Sequence, residues 1–165
     1  MREGNCNAVP KGAAFSVKIS FFGHSDYEYD EEDEKAIIEK IDELVGNDPC
    51  DFLLGGIGAF DMFAKRCCIK YKQLFNPNVK LTLVMPYLDR KYNIKGYDDT
   101  VYPPLESVPK RLAIIRRNEW MVKESDNIIA YVWHYGGARN TLDIAKRKNK
   151  PIFNVALKQH PKFEL

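Results

Sequence analysis

Residues 52–61 read FLLGGIGAFD, and residues 128–141 read IIAYVWHYGGARNT. In both stretches a short apolar run leads into a glycine-rich turn, and a helix-like pattern follows the turn. Glycine lets the backbone adopt positive φ and approach a ligand closely, and the helix N-terminus behind it offers free N–H groups and a partial positive charge. The two stretches predict an α/β fold with phosphate-binding loops. The alternative is that each glycine pair only makes a tight turn.

Further apolar runs extend this pattern along the chain. Phe, Ile, Val and Leu dominate these runs, and Gly or Pro bounds several of them, which is typical of buried strands. The five predicted strands are residues 15–22, 52–54, 81–85, 128–133 and 151–155. Since parallel strands need helical crossovers, strands that alternate with helices predict a parallel sheet that is covered on both faces.

Four helices are predicted between these strands. The first begins at Asp30, which is a good N-cap residue, and ends at Gly46. The third begins near Pro109 and ends near Glu124, and the fourth begins at the glycine pair 136–137. The second helix follows the 55–58 turn, and its apolar face comprises Phe60, Phe63, Ala64, Cys67, Tyr71 and Leu74. The elements together predict a three-layer, Rossmann-like sandwich with a mainly parallel sheet of about five strands.

One domain accounts for the length and patterning of the chain. Residues 1–14 lack periodicity and are predicted to form a flexible N-terminal arm, and residues 15–165 are predicted to form the domain. Residues 87–107 are polar, with a proline pair, and make a long excursion of the kind that is often functional or mobile.

Composition and motif spacing give no support for several classes of function. The chain has 25 basic and 23 acidic residues, so its net charge of +2 gives no support for nucleic-acid or membrane binding. No apolar run approaches the roughly 20 residues of a membrane-spanning helix, and we expect a cytoplasmic protein. Cysteine and histidine spacing matches no metal motif. Neither glycine turn fits the Walker A or GxGxxG pattern, so we expect no resident cofactor.

The candidate ligand site lies at the carboxyl ends of the predicted strands, where open parallel sheets bind ligands. The candidate residues follow strand ends or lie on the third helix: Gly23, His24, Ser25, Gly55, Gly56, Gly58, Asp61, Pro86, Tyr87, Arg117, Asn118, Gly136, Gly137, Arg139, Asn140 and Thr141.

Three candidates have more than one interpretation. The adjacent Arg116 and Arg117 either form a solvated helix face or place one guanidinium against the ligand. Asp61 either interacts with the helix dipole or recognises a ribose or base. His24 either makes a simple polar contact, which we favour, or acts as a general acid or base.

The order of these motifs resembles the SLOG superfamily, which includes the Lonely Guy phosphoribohydrolases and DNA-processing protein A. The shared features are strand-GGxGxxD-helix, then Arg117, Met121 and Ser125-Asp126, then strand-GGxxxT-helix. The segment 101–154 is especially similar to the DUF1273/YpsA-like branch. The resemblance covers about residues 15–156 and implies a Rossmann-like fold, a nucleotide-like ligand and a homodimer.

The resemblance also implies roles for particular residues. Arg117 matches the Lonely Guy arginine that helps cleave an N-glycosidic bond, and the 136–141 turn matches that family's phosphate loop. However, Ile144 stands at the position of the catalytic glutamate, and isoleucine cannot act as an acid or base. We therefore expect a binding module that senses or sequesters a nucleotide-derived molecule. The first alternative is a nucleoside 5′-monophosphate phosphoribohydrolase with Arg117 and either Asp143 or Asp61, and a DNA-processing-like protein is the less favoured one.

Overall fold

The structure, a computed structural model, describes residues 16–163. The predicted arm at 1–14 therefore lies outside the described residues. The described chain forms six strands: β1 (Val17–Gly23), β2 (Cys50–Leu54), β3 (Val79–Val84), β4 (Asp99–Val101), β5 (Asn127–Tyr131) and β6 (Ile152–Asn154). It also forms four α-helices: α1 (Glu31–Val45), α2 (Ala59–Leu74), α3 (Ala113–Glu124) and α4 (Gly137–Arg147). None of the described helices is long and apolar enough to cross a membrane.

All strands of the sheet are parallel, in the order β4-β3-β2-β1-β5-β6. The predicted α/β, Rossmann-like class is thus confirmed. The chain builds one half of the sheet outward from β1 through β2 and β3, and then returns to place β5 on the other side of β1. The loops after β1 and β5 diverge at this reversal, which is where ligands bind in folds of this type.

Helices cover both faces of the sheet. On one face α1 and α2 pack their apolar stripes against Phe21, Phe52 and other strand residues. On the other face α3 and α4 pack against Phe22, Leu53 and their neighbours. Successive strand residues point to opposite faces, so β1 places Phe21 in one core and Phe22 in the other.

Local sequence signals explain several helix ends. Asp30 is the N-cap of α1, and its side chain accepts a hydrogen bond from the Glu32 N–H at 2.7 Å. Gly46 ends α1 with φ 58°. Pro109 directly precedes a 3₁₀ turn, Lys110–Leu112, which leads into α3, so the predicted third helix begins with 3₁₀ rather than α geometry.

Two details of the sequence prediction are wrong. Strand β4 lies inside the polar 87–107 excursion, and its three residues carry no apolar run that would reveal it. It forms because β3 offers an open edge for pairing over residues 82–84. The spacing places Leu74 on the apolar face of α2, but it is the last residue of the helix and is 64% exposed.

Candidate functional site

A cavity of about 400 Å³ opens at the carboxyl ends of β1, β2 and β5. The loop after each of these strands contributes to its wall, as does one face of α3. The predicted residues that line it are Gly23, His24, Ser25, Gly55, Asp61, Arg117, Asn118, Gly136 and Gly137. The fold therefore brings together nine candidates that are spread over more than 110 positions of the sequence.

Arg117 is buried on the wall of this cavity and is only 3% exposed. Its Nη1 donates to the Gly55 carbonyl at 2.9 Å and to the Val84 carbonyl at 2.6 Å, and its Nε donates to the Asn118 side chain at 2.8 Å. Burial lowers the pKa of the guanidinium, and the Asp61 carboxylate opposes this effect. Its neighbour Arg116 instead forms a surface ion pair with Glu119, so the two adjacent arginines have different roles.

The 112–126 segment holds Arg117 in place by attaching α3 to β1. Met121 is fully buried between the helix and the sheet. The Ser20 hydroxyl on β1 contacts the Ser125 hydroxyl and donates to the Met121 carbonyl at 3.2 Å. The Asp126 carboxylate accepts the Lys18 N–H at 2.8 Å. The Met and Ser-Asp positions of the motif are therefore structural, and they set the position of the arginine.

Asp61 faces the same cavity from the first turn of α2. Its Oδ2 accepts the Ile57 N–H at 2.9 Å. A Cβ added to Gly55 would lie 2.8 Å from Asp61 Oδ2 and 3.0 Å from Arg117 Nη2, so both charged groups point at the same glycine. Burial raises the pKa of Asp61 to about 6, against the hydrogen bond from Ile57 and the charge of Arg117. Asp61 can therefore hold or lose a proton near neutral pH.

The N-terminus of α2 is already occupied by protein groups. The Ala59 N–H donates to the Ser25 carbonyl at 3.0 Å, and the Phe60 N–H donates to the His24 carbonyl at 3.3 Å. Gly58 has φ 99°, and a Cβ there would meet the Ser25 Cα at 3.1 Å, so this glycine permits a contact between two loops. The first glycine turn thus presents the Asp61 carboxyl group to the cavity rather than a set of free N–H groups.

The N-terminus of α4 is different because it remains open to the cavity. Its N-cap is Gly136, with φ 146°, and no side chain caps the first turn. A Cβ at Gly137 would meet nothing within 4 Å. The first N–H groups of a helix have no partner within the helix, so this turn can bind an anion.

His24 lies on the cavity wall beside this turn. Its Nε2 accepts the Trp133 N–H at 3.0 Å, and its ring stacks on His134 with the centroids 3.5 Å apart. Burial and the neighbouring His134 lower the pKa of His24 to about 4. The imidazole is therefore neutral at physiological pH, and its Nε2 acts as a hydrogen-bond acceptor.

The remaining candidates lie outside the cavity wall. Tyr87 donates to the Lys110 carbonyl at 3.4 Å and lines a separate, smaller cavity with Pro86. Gly56 and Gly58 shape the first turn, and Asn140 is exposed on α4.

Two polar side chains on α4 are engaged within the protein. The Thr141 hydroxyl donates to the Gly137 carbonyl at 3.1 Å and accepts from Asn118 at 3.2 Å. Arg139 pairs with Asp143 at 3.1 Å, and neither residue lines the cavity.

Sequence reasoning missed several residues of the wall, namely Asp26, Ile57, Ile114, His134 and Ala138. The glycine turns point to Ile57 and Ala138, which adjoin them. Ile114 and His134 carry no signal in the sequence, because only the packing of α3 and the His24 stack bring them to the site. Among residues 16–163, no group of His, Cys, Asp or Glu side chains is arranged to hold a metal ion.

No protein-family model and no curated protein sequence matches the chain. Solved structures of similar fold do exist. One structure of the molybdenum cofactor carrier protein of Chlamydomonas reinhardtii has a TM-score of 0.51 at 16% identity, and the match covers 83% of this chain and 75% of that one. Another structure of the Chlamydomonas carrier has a TM-score of 0.52 at 13% identity, with coverage of 86% and 76%. At these identities the likeness is one of fold, a Rossmann-like sandwich shared with a cofactor carrier.

Proposed function

We propose that this protein is a SLOG-like binding module that senses or sequesters a phosphorylated, nucleotide-like small molecule in the 400 Å³ cavity. The observation that carries the proposal is the open N-terminus of α4 in the same cavity as the buried Arg117. The first N–H groups of α4 would bind the phosphate, since the corresponding groups of α2 are used by the His24-Ser25 carbonyls.

The opposite wall of the cavity would recognise the rest of the ligand. Asp61 can accept hydrogen bonds from a ribose hydroxyl or from an N–H group of a base, and its pKa of about 6 allows either protonation state. Arg117 supplies positive charge but already donates to two backbone carbonyls, so it both shapes the site and compensates ligand charge. The fold is shared with a molybdenum cofactor carrier, which adds that cofactor to the ligands worth testing.

The test is isothermal titration calorimetry with AMP, GMP, CMP, the molybdenum cofactor and, as phosphate-free control, adenosine. A charge-assisted hydrogen bond is worth roughly 1.5–3 kcal/mol, so we expect adenosine to bind at least about tenfold more weakly than AMP if AMP is a ligand. A Cβ at Gly137 would meet nothing within 4 Å, so Gly137→Val should fill the approach to the α4 N-terminus and abolish binding.

Asn140→Val is the matched control, because it also introduces valine in the first turn of α4, at an exposed position outside the cavity. We expect it to bind as the wild type does. A ligand that binds Gly137→Val with wild-type affinity would contradict the placement of the phosphate.

A phosphoribohydrolase is the second candidate, and one observation favours it: Asp61 and Arg117 face each other across Gly55 in the cavity. Such an enzyme would hydrolyse the N-glycosidic bond of a nucleoside monophosphate to the free base and ribose 5-phosphate. The catalytic glutamate of the Lonely Guy family is replaced by Ile144, which packs against the core beneath α4, and Asp143 is paired with Arg139. Asp61 is therefore the remaining candidate acid.

Chromatography of overnight reactions with AMP, GMP and CMP distinguishes the two functions. We expect negligible release of base, because loss of one catalytic group commonly costs several orders of magnitude in rate. Turnover by the wild type that disappears in Asp61→Asn, with ligand binding retained, would establish the enzyme instead.

A further inference from the structure

A second cavity, of about 420 Å³, lies on the other side of His24 from the candidate site. The β1–α1 connection, the end of β5 and the turn after β6 form its wall. Four carboxylates line it, and its described wall contains no lysine or arginine. These carboxylates are Asp26, Glu28, Asp30 and Asp33. The wall is therefore strongly acidic, although the chain as a whole carries a net charge of +2.

Asp33 is the buried carboxylate of this wall, and it is incompletely satisfied. It is 1% exposed, and its Oδ2 accepts the Tyr27 hydroxyl at 2.9 Å. Its Oδ1 is buried and has no hydrogen-bond partner. A buried polar atom without a partner costs roughly 1–3 kcal/mol, so a donor from a ligand would satisfy a group that the described protein leaves unsatisfied.

No described side chain donates a hydrogen bond to Asp33 Oδ1, and the charged groups around it have other partners. Asp30 is occupied by the Glu32 N–H at 2.7 Å and by the Gln159 amide at 3.2 Å. Lys158, on the adjacent 3₁₀ turn Val155–Lys158, forms its ion pair with Glu32 at 3.6 Å. The charge of Lys158 acts on Asp33, and Arg66 lies over the Tyr29 ring at 4.8 Å, but neither side chain lines the cavity, so no cationic side chain belongs to its described wall.

Aromatic rings form most of the remaining wall. Tyr29, Tyr131 and Trp133 line the cavity, and Trp133 stacks on His160 with the centroids 4.2 Å apart. Aromatic faces attract ammonium and guanidinium groups, and the attraction is greatest when the cation is partly removed from water. Carboxylates beside aromatic faces are the combination that recognises an organic cation.

We propose that this second cavity binds an organic cation, the ammonium or guanidinium group of a small molecule, through Asp33 and the Trp133 face. A metal ion is the less suitable occupant, because no described group of His, Cys, Asp or Glu is arranged to hold one. The site is distinct from the phosphate site of the proposed function, and the two cavities have only His24 and Asp26 in common as wall residues.

Agmatine, which carries both kinds of cationic group, is the probe. The chain has two tryptophans, and Trp120 lines a different cavity on α3, so its indole N–H signal is an internal reference for that of Trp133. In ¹H–¹⁵N correlation spectra without any nucleotide, we expect agmatine to shift the Trp133 signal saturably and to leave Trp120 unchanged. KCl at equal ionic strength should not reproduce the shift.

Asp33→Asn should weaken agmatine binding at least tenfold while keeping an oxygen that can accept the Tyr27 hydroxyl. Asp42→Asn is the matched control. Asp42 is also on α1 and accepts the Tyr71 hydroxyl at 3.0 Å, but it lies outside the cavity. If Asp33→Asn does not fold, Asp26→Asn/Glu28→Gln removes two exposed carboxylates of the same wall and should also weaken binding.

Two outcomes would overturn the proposal. One is that KCl alone moves the Trp133 signal as agmatine does. The other is that the wall variants bind agmatine as tightly as the wild type does. Because no nucleotide is present, a failure here is separate from a failure of the phosphate site.

Discussion

Asp61→Asn should be more stable relative to the wild type at neutral pH than at acidic pH. The buried carboxyl of Asp61 has its pKa raised from 3.8 to about 6 in the folded state. In the unfolded chain the carboxyl would titrate near its ordinary value. The folded state therefore holds the proton more tightly, and the wild type loses stability as the pH rises through this window.

The size of the effect follows from the same shift. A difference of about two pKa units, at about 1.4 kcal/mol each, corresponds to about 3 kcal/mol over the full window. Asparagine does not ionise, and its amide oxygen can still accept the Ile57 N–H. The free energy of unfolding of Asp61→Asn, minus that of the wild type, should thus increase by about 2–3 kcal/mol between pH 4 and pH 7.

Urea denaturation of both proteins at half-unit pH steps measures this difference. Asp48→Asn, which removes an exposed carboxylate, controls for the loss of one negative charge. A difference that stays constant over the range, or that changes with the opposite sign, would refute the conclusion that burial dominates at Asp61.

Two further predictions concern the residues that shape the cavity. From the sequence we expect Arg117→Ala to weaken ligand binding with little change in stability. The structure instead predicts a loss of about 2–4 kcal/mol in the free energy of unfolding, because the guanidinium satisfies two buried carbonyls; a loss below about 1 kcal/mol in urea denaturation would contradict this. Gly23→Ala should lower the free energy of unfolding by about 1–3 kcal/mol, since the new Cβ would lie 2.2 Å from the Phe60 ring. Gly137→Ala meets no atom and is the control, and equal melting temperatures for the two alanine variants would show that the Phe60 contact relaxes without cost.

The sequence by itself determined the layered fold and the end of the sheet at which the 400 Å³ cavity lies. Buried parallel strands are read as continuous apolar runs, and helices as apolar residues every three or four positions, so both are local patterns. The N-cap at Asp30 and the two glycine turns before α2 and α4 are local signals as well, and all of them appear in the structure.

The tertiary structure decided what each of these groups does. The two glycine turns have the same local pattern, yet N–H groups after the first donate to the His24 and Ser25 carbonyls. After the second, the glycines line the cavity and no side chain caps the helix. Arg116 and Arg117 are neighbours in the chain, yet only Arg117 is buried. The partner of a hydrogen-bond donor is often a residue far away in the chain, as Gly55 is for Arg117. A single sequence shows which groups can bind, but the availability of each group depends on what the folded chain places beside it.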